Sequence, residues 1–335
     1  MQNPEIEFNY LWGSPTVIGN RTDFSIRQSF DFPTAYTVKK QIATFKNEQA
    51  ELEYRKQKKE LRLQAHRVCI ELIYYDALKS EYSKQLNYAQ NIALSYQLKF
   101  EAGEINILDY NKSQLNLLNL NTKMDLLEIE RSTLMSELIR LNGNKKIEIG
   151  DLQFQPLLIP ADFEKWYTHA EQTNPVLSWL KQELEIGKKQ MSLTKALSLP
   201  KMHAGYMSEF VGGEQFRGIS VGLSIPLWEN KNKISHAKAN LTAIEAEVTD
   251  NKVTFYKQLK ALHYKSMQLQ KNLAQYQSKM QLLNNTDLLK KALDKGEISL
   301  IDYMQEHAIY YENIYRKLEI EKELHKTVAE LNQYL

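Results

Sequence analysis

The sequence predicts a mostly α-helical protein that carries four long β-strands and consists of two copies of one unit. Three observations carry that expectation. The string Gly103-Glu104-Ile105-Asn106-Ile107-Leu108-Asp109-Tyr110 returns as Gly296-Glu297-Ile298-Ser299-Leu300-Ile301-Asp302-Tyr303, 193 positions later. Pro33 and Pro226, each closing a short alternating apolar run, stand at the same offset, as do Lys40 and Lys233, Ala50 and Ala243, Glu128 and Glu321, and Leu138 and Leu331. Only 12 Gly and 8 Pro interrupt 335 residues, so long unbroken elements are implied.

Each copy opens on segments of strict period two, the pattern of a strand with two unlike faces. Ile6, Phe8, Tyr10 and Trp12 alternate with Glu5, Glu7, Asn9 and Leu11. After a turn at Gly19-Asn20, Phe24, Ile26, Phe30 and Phe32 alternate with Asp23, Ser25, Arg27, Ser29 and Asp31. In the second copy Met202, Ala204, Tyr206 and Phe210 are followed, past Gly212-Gly213, by Ile219, Val221, Leu223 and Ile225. Strands of about ten residues cross a bilayer when tilted, but four of them cannot close a barrel, so a membrane reading needs several chains. Tyr10, Trp12, Tyr206 and Trp228 are expected near strand ends, where amphipathic rings favour the headgroup zone.

After each proline the pattern turns helical for about seventy residues, up to the repeated glycine. Leu61, Ala65, Val68, Leu72 and Tyr75 share one face, and Leu86, Ala89, Ala93 and Tyr96 continue it. The return arm after Gly103 places Leu120, Leu127, Leu134 and Leu141 at seven-residue spacing, a coiled-coil seam, and Asn142-Gly143 ends it as a C-terminal cap does. Residues 144 to 160 read as irregular or short strand-like pieces, and 161 to 199 as helix with Pro175 near the start of its main stretch. By the 193-residue offset this helix has a counterpart of about 30 residues ahead of position 1, so an N-terminally truncated chain without its signal peptide is expected.

The resulting division is a first repeat at 1–143 (β-hairpin 4–32, helical hairpin 34–142), a linker and helix at 144–196, and a second repeat at 197–335 (β-hairpin 200–226, helical hairpin 228–335). A net charge of +2 with 25% charged residues argues against a nucleic-acid partner. No run of 18 apolar residues exists, which excludes a transmembrane helix and leaves closed β-barrels as a route through a bilayer. The single Cys69 excludes an internal disulfide, and the seven histidines show no pairing at metal-ligand spacing. No nucleophile elbow, phosphate loop or zinc-helix motif is present, so no enzymatic activity, cofactor or metal is expected.

Strand hairpin, proline, very long helix, glycine turn and coiled-coil return, performed twice, resemble the TolC family of outer-membrane efflux proteins. Asn174-Pro175, Leu199-Pro200 and Pro226-Leu227-Trp228 add to the likeness, and Asn3-Pro4 with the short hairpins is similar to its CusC- and CzcC-like metal-ion branch. The resemblance implies a homotrimer in which each chain gives four strands to a twelve-stranded outer-membrane barrel and its long antiparallel helical hairpins to a periplasmic α-barrel. It implies a passive duct for solutes such as metal ions or drugs in a tripartite efflux system of the RND type, with a periplasmic adaptor and an inner-membrane pump as partners. The chain would sit in outer-membrane lipid and extend into the periplasm. The rival reading is a soluble coiled-coil scaffold or a periplasmic adaptor, which the paired amphipathic strands argue against.

By the same resemblance the Gly103 and Gly296 turns lie at the periplasmic tip. Asp302 matches the first of two acidic positions that narrow the closed entrance, whereas Gln305 stands at the second, so one ring of carboxylates is expected rather than two. A plainer role is available to the turns. Asn106 with Asp109, and Ser299 with Asp302, have the spacing of helix N-caps, and the two roles are compatible. Tyr110 and Tyr303 are expected to pack between neighbouring hairpins, and His307 falls one turn past Asp302.

Overall fold

A computed structural model describes residues 3–150, 153–226, 228 and 230–334. Leu227 of the Pro226-Leu227-Trp228 string, and the ends of the first and second repeats at positions 1, 2 and 335, lie outside the described residues. The elements run β1 (Glu5–Leu11), β2 (Arg21–Phe30), α1 (Pro33–Glu101), α2 (Ile107–Leu141), α3 (Phe163–Thr173), α4 (Pro175–Leu197), β3 (Lys201–Val211), β4 (Glu214–Ser224), α5 (Lys233–Leu282), α6 (Thr286–Asp294) and α7 (Leu300–Leu331), with one 3-10 turn at Thr16–Ile18. The chain divides into two compact units, Met1–Lys56 with Asn174–Thr254 and Gln57–Thr173 with Phe255–Leu335.

The first unit holds one antiparallel sheet in the order β1-β2-β3-β4. Its register sorts the side chains. Ile6, Ile26, Tyr206 and Ile219 stand in one cross-strand row, and Phe30, Met202 and Leu223 in another on the same face. The opposite face carries the rows Glu5, Arg27, Gly205, Ser220 and Glu7, Ser25, Met207, Gly218. The polar exceptions on the apolar face, Thr22, Ser208, Gln215 and Arg217, gather toward the Gly212-Gly213 turn, with Gln28 outside that group. Both glycines have positive φ, +59° and +92°, the backbone that a two-residue hairpin turn requires. On the polar face Arg21 pairs with Asp23 at 2.8 Å and Glu209 at 3.2 Å. Gly222 is needed there, since a Cβ at that position would fall 2.3 Å from the His203 ring.

Phe32 and Pro33 turn β2 into α1. Asp31 is buried at this corner, its carboxylate held by Lys39 Nζ at 2.7 Å while its backbone N–H donates to the Tyr36 hydroxyl at 3.0 Å. Pro33 takes the first helical position, where its missing N–H costs nothing, and no further Pro or Gly interrupts the 69 residues of α1. Within the first unit Ala35 and Ile42 of α1 pack on Ile186, Leu193 and Ala196 of α4. Gln49 donates to Glu183 and Gln182 to Glu48, both at 2.6 Å.

Several boundaries differ from the sequence expectation, each for a local reason. The helix expected across 161–199 is two helices, because Asn174 leaves helical geometry (φ −73°, ψ 115°) to cap α4 with Pro175 at its start. After Pro226 the helix begins only at Lys233, since Asn232 adopts φ +66°, while Asn230 donates to the Leu197 carbonyl at 3.3 Å. The long helix expected from 228 toward Gly296 is broken between Leu282 and Thr286. There Asn284 Oδ1 accepts from the Thr286 hydroxyl at 2.8 Å and from its N–H at 3.3 Å, the local bonding by which Asn competes with helix. No strand forms over the described part of 144–160. Tyr206 sits in the middle of β3 rather than at a strand end.

The second unit is built on helix-to-helix seams. Leu78 of α1, Leu127 of α2 and Leu318 of α7 meet in one cluster with Tyr74, Tyr82 and Tyr315 around them. Leu273 of α5 joins Leu324 and Val328 of α7, and Phe163 and Tyr167 of α3 pack on Leu259 and Leu331. The seven-residue leucine series explains α2, since Leu120 and Leu127 are buried and Leu134 and Leu141 half-buried. Arg131 reaches back to Asp76 at 2.7 Å, and Lys326 and Lys322 converge on Glu71.

Asn174 offers a direct check on this local logic. It is fully buried, and its Oδ1 accepts the Val176 N–H at 2.8 Å. Asn174→Ala is expected to lower stability by about 1–2 kcal/mol, and Asn174→Asp to retain most of it, as read by the denaturation midpoint.

Candidate functional site

The two glycine turns have the same backbone. Gly103 (φ +72°) donates its N–H to the Phe100 carbonyl at 3.0 Å, and Glu104 donates to Lys99 at 2.8 Å. Gly296 (φ +73°) and Glu297 repeat this pattern toward Leu293 at 3.0 Å and Ala292 at 2.9 Å. The paired bonds are those of a Schellman motif, which satisfies the last carbonyls of the incoming helix. A Cβ at either glycine would meet nothing within 4 Å, so φ rather than crowding demands the residue.

Three residues later each turn starts its return helix with a side-chain cap. Asn106 Oδ1 accepts the Asp109 N–H at 2.9 Å, and its Nδ2 donates to the Asp109 carboxylate at 2.9 Å. In the second turn the box is reciprocal: the Asp302 N–H donates to Ser299 Oγ at 3.2 Å, and the Asp302 carboxylate accepts from the Ser299 N–H at 3.3 Å and hydroxyl at 2.6 Å. The two carboxylates differ in surroundings. Asp109 is half-buried, with Lys112 Nζ 3.6 Å away. Asp302 and Gln305 are exposed, and no cationic side chain pairs with Asp302 among the described residues.

The tyrosines that follow also part ways. Tyr110 stacks on Phe100 within its own hairpin, centroids 5.1 Å apart. Tyr303 is buried in a cluster with Leu293 and Leu300 against which Ile92 and Tyr96 of α1 pack, so the cluster joins the second hairpin to the first; burial pushes the Tyr303 hydroxyl pKa up to about 12. His307 lies between Tyr303 and Tyr311, with centroids at 5.2 and 4.5 Å, and burial pulls its pKa down to about 4. Sequence reasoning gave His307 only a position; the tyrosines at 303, 307−4 and 311, 307+4, were the helical-spacing signal that it would be packed among rings. Cys69 is half-buried and its thiol pKa is raised by that burial. No group of three metal-binding side chains occurs among the described residues, and none of the described helices is long and apolar enough to cross a membrane.

Long helical arms joined by capped glycine turns, attached to a four-stranded sheet with one apolar face, make up the fold of the TolC-family outer-membrane channels. The chain is similar over 99% of its length to 76% of the CmeC outer membrane channel of Campylobacter jejuni, with 12% identity and a TM-score of 0.80. It is similar over 98% of its length to 81% of CusC, whose structures concern folding and transmembrane channel formation, with 10% identity and a TM-score of 0.81. All of the chain is covered against 80% of the open-state MtrE outer membrane channel of Neisseria gonorrhoeae, at 12% identity and a TM-score of 0.75. What these proteins share with the chain is the fold. No protein-family model matches the sequence, and no curated protein matches it.

The turn geometry predicts unequal costs. Gly296→Ala forces a Cβ into left-handed backbone and is expected to cost about 1–2 kcal/mol. Ser299→Ala, which removes the cap alone, is expected to cost about 1 kcal/mol. Denaturation midpoints with amide hydrogen exchange at residues 296–303 check both.

Proposed function

We propose that the chain is a subunit of a passive outer-membrane channel in an efflux system. Three copies would close their sheets into a twelve-stranded barrel and their helical hairpins into a periplasmic α-barrel, each chain contributing two structural repeats, 1–143 and 197–335, around the 144–196 linker. The observation that carries this reading is the sheet. Its apolar face is uncovered, with Ile6 69%, Ile219 84% and Val221 78% exposed, and β1 and β4 each pair on one side only. An open edge and an apolar face of this extent are liabilities in water. Both are resolved at once by closure with other copies inside lipid, where every backbone group must be paired. At roughly 3.3 Å per residue and a tilt near 45°, strands the length of β3 and β4 match the apolar band of such barrels. The rival scaffold or adaptor has no use for this face.

The same reading assigns the glycine turns to the periplasmic tip, with an adaptor and an inner-membrane pump of the RND type supplying contact and energy. The chain would conduct what its pump delivers, metal ions or drugs, without coordinating it. Around a three-fold axis three Asp302 carboxylates would face one another, and their field would favour cations at the closed entrance. Gln305 adds no second ring. Gly103, Gly296, Asp109, Tyr110 and Tyr303 would set the shape of this tip, and Asn106 and Ser299 would cap its helices.

Placed behind a bacterial signal peptide, the chain is expected in the outer-membrane fraction as a detergent-extracted trimer; a soluble monomer or dimer would overturn the channel reading. Ile219→Arg, on the apolar face, is expected to destabilise the assembly by about 2–4 kcal/mol and to lower trimer yield. Gly218→Arg, one residue away on the other face, is expected to leave trimer yield unchanged, since a Cβ there meets nothing within 4 Å. In planar bilayers Asp302→Ala is expected to weaken cation preference at low salt and lose that effect at high salt, where the carboxylate field is screened.

A further inference from the structure

A cavity of about 350 Å³ opens between α1, α7 and the segment around Leu157 in the second unit. Lys59, Arg62 and His66, at i, i+3 and i+7, line it from one face of α1, and His325 faces them from α7. Leu63, Leu157 and Val328 supply the apolar part of the wall. No Asp or Glu lines the cavity among the described residues, and four basic side chains converge on it. Two neighbouring acids are engaged elsewhere: Glu330 takes Arg67 and Glu71 takes Lys326.

The basic groups are themselves underused. Among the described residues Lys59 gives one hydrogen bond, to the Tyr334 carbonyl, out of the three that its ammonium can donate. Arg62 makes no hydrogen bond or ion pair among the described residues, although it is close enough to bear electrostatically on both Lys59 and His66. The ring of His325 stacks on Phe154 at 4.1 Å, which fixes its plane. Mutual repulsion adds to burial at these groups. Burial first and Arg62 second lower Lys59 and His66, and burial with His66 lowers His325 to about 4. A negative charge placed in the cavity would relieve that repulsion and give Arg62 a partner.

We propose that this cavity binds a small amphiphilic organic anion, a carboxylate or phosphate carried on an apolar body. Lys59 and Arg62 hold the anionic head, with His66 and His325 beside it, and Leu63, Leu157 and Val328 cover the body. The volume lies at the lower end of the range of small-molecule pockets, which suits a bicyclic ring with one charged substituent. The site is distinct from the glycine turns and from the sheet, and it stands whether or not the chain forms a channel.

Calorimetric titration of the full chain in detergent, with ligand-into-micelle heats subtracted, tests it. The probes are 1-naphthoate, 1-naphthyl phosphate and the neutral 1-naphthylmethanol. Both anions are expected to bind at least roughly tenfold more tightly than the alcohol, and Arg62→Gln to remove most of that difference, as loss of a charged hydrogen-bond partner does. Arg62 is exposed and has no ion-pair partner among the described residues, so its replacement should leave the helical circular dichroism intact; Lys257→Gln, at an exposed site on α5 outside the cavity, is expected to leave affinity unchanged. Equal affinity for acid and alcohol would overturn the proposal, as would anion binding that survives both Arg62→Gln and Lys59→Gln. Preference for naphthyl phosphate over naphthoate would identify the head as phosphate, and the reverse as carboxylate.

Discussion

A sheet that can complete neither its own edges nor its own apolar face is the constraint on which the rest of the architecture rests. The register aligns Ile6, Ile26, Tyr206 and Ile219 across four strands and places Glu5, Arg27, Gly205 and Ser220 on the other side. In an ordinary domain a helix would cover the apolar rows. Here the core cluster of the first unit, among the described residues, is formed by α1 and α4, and Ile219 and Val221 stay exposed. Apolar surface left in water on this scale is unfavourable by about 25 cal/mol per Å², so the sheet defines what must surround it.

The helices answer a different problem. Arms of this length gain little from intrinsic propensity and depend on a seam, supplied by Leu78, Leu127 and Leu318 with tyrosines at their flanks. Their ends then have to be terminated sharply, or the arms fray. The Schellman bonds at Gly103 and Gly296 close one helix, and the Asn106 and Ser299 caps open the next within three residues, leaving few turn donors or acceptors without partners. The aspartates that complete these caps are thus held in place by the turn itself, whatever else they do.

Much of this was legible in the residues because it depends on short-range rules. Period two gives the strands and their faces, Gly-Gly gives the hairpin turn, Asn174-Pro175 gives a helix start, and the doubled glycine string gives the turns. The parts that were not legible depend on competition or on distance. Asn284 and Thr286 break the second outbound arm although the apolar pattern there runs on, because local side-chain bonding beats weak helix propensity. Asn232 delays α5 by another route, its left-handed backbone at φ +66°. Tyr206 looks like a ring at a strand end until the register puts it opposite Ile26 and Ile219. The basic cavity joins residues near 60 to one at 325, and no spacing rule connects positions so far apart in the chain.

The two glycine turns show how one backbone can carry two electrostatic characters. In the first, Asn106 serves as acceptor and donor, so Asp109 is satisfied from the cap and from Lys112. In the second, Ser299 offers one hydroxyl, Asp302 takes that hydroxyl and the backbone N–H, and no cation approaches it among the described residues. A carboxylate bonded by neutral donors keeps its full negative charge, whereas one paired with an ammonium presents a dipole. Its field therefore extends outward, and in water at physiological salt it is felt over about 8 Å. In the proposed trimer, copies of Asp302 that came within that range of one another would act together. Both caps donate from neutral groups, so what separates the two turns is the residue three positions after the aspartate, Lys112 in the first and Gln305 in the second.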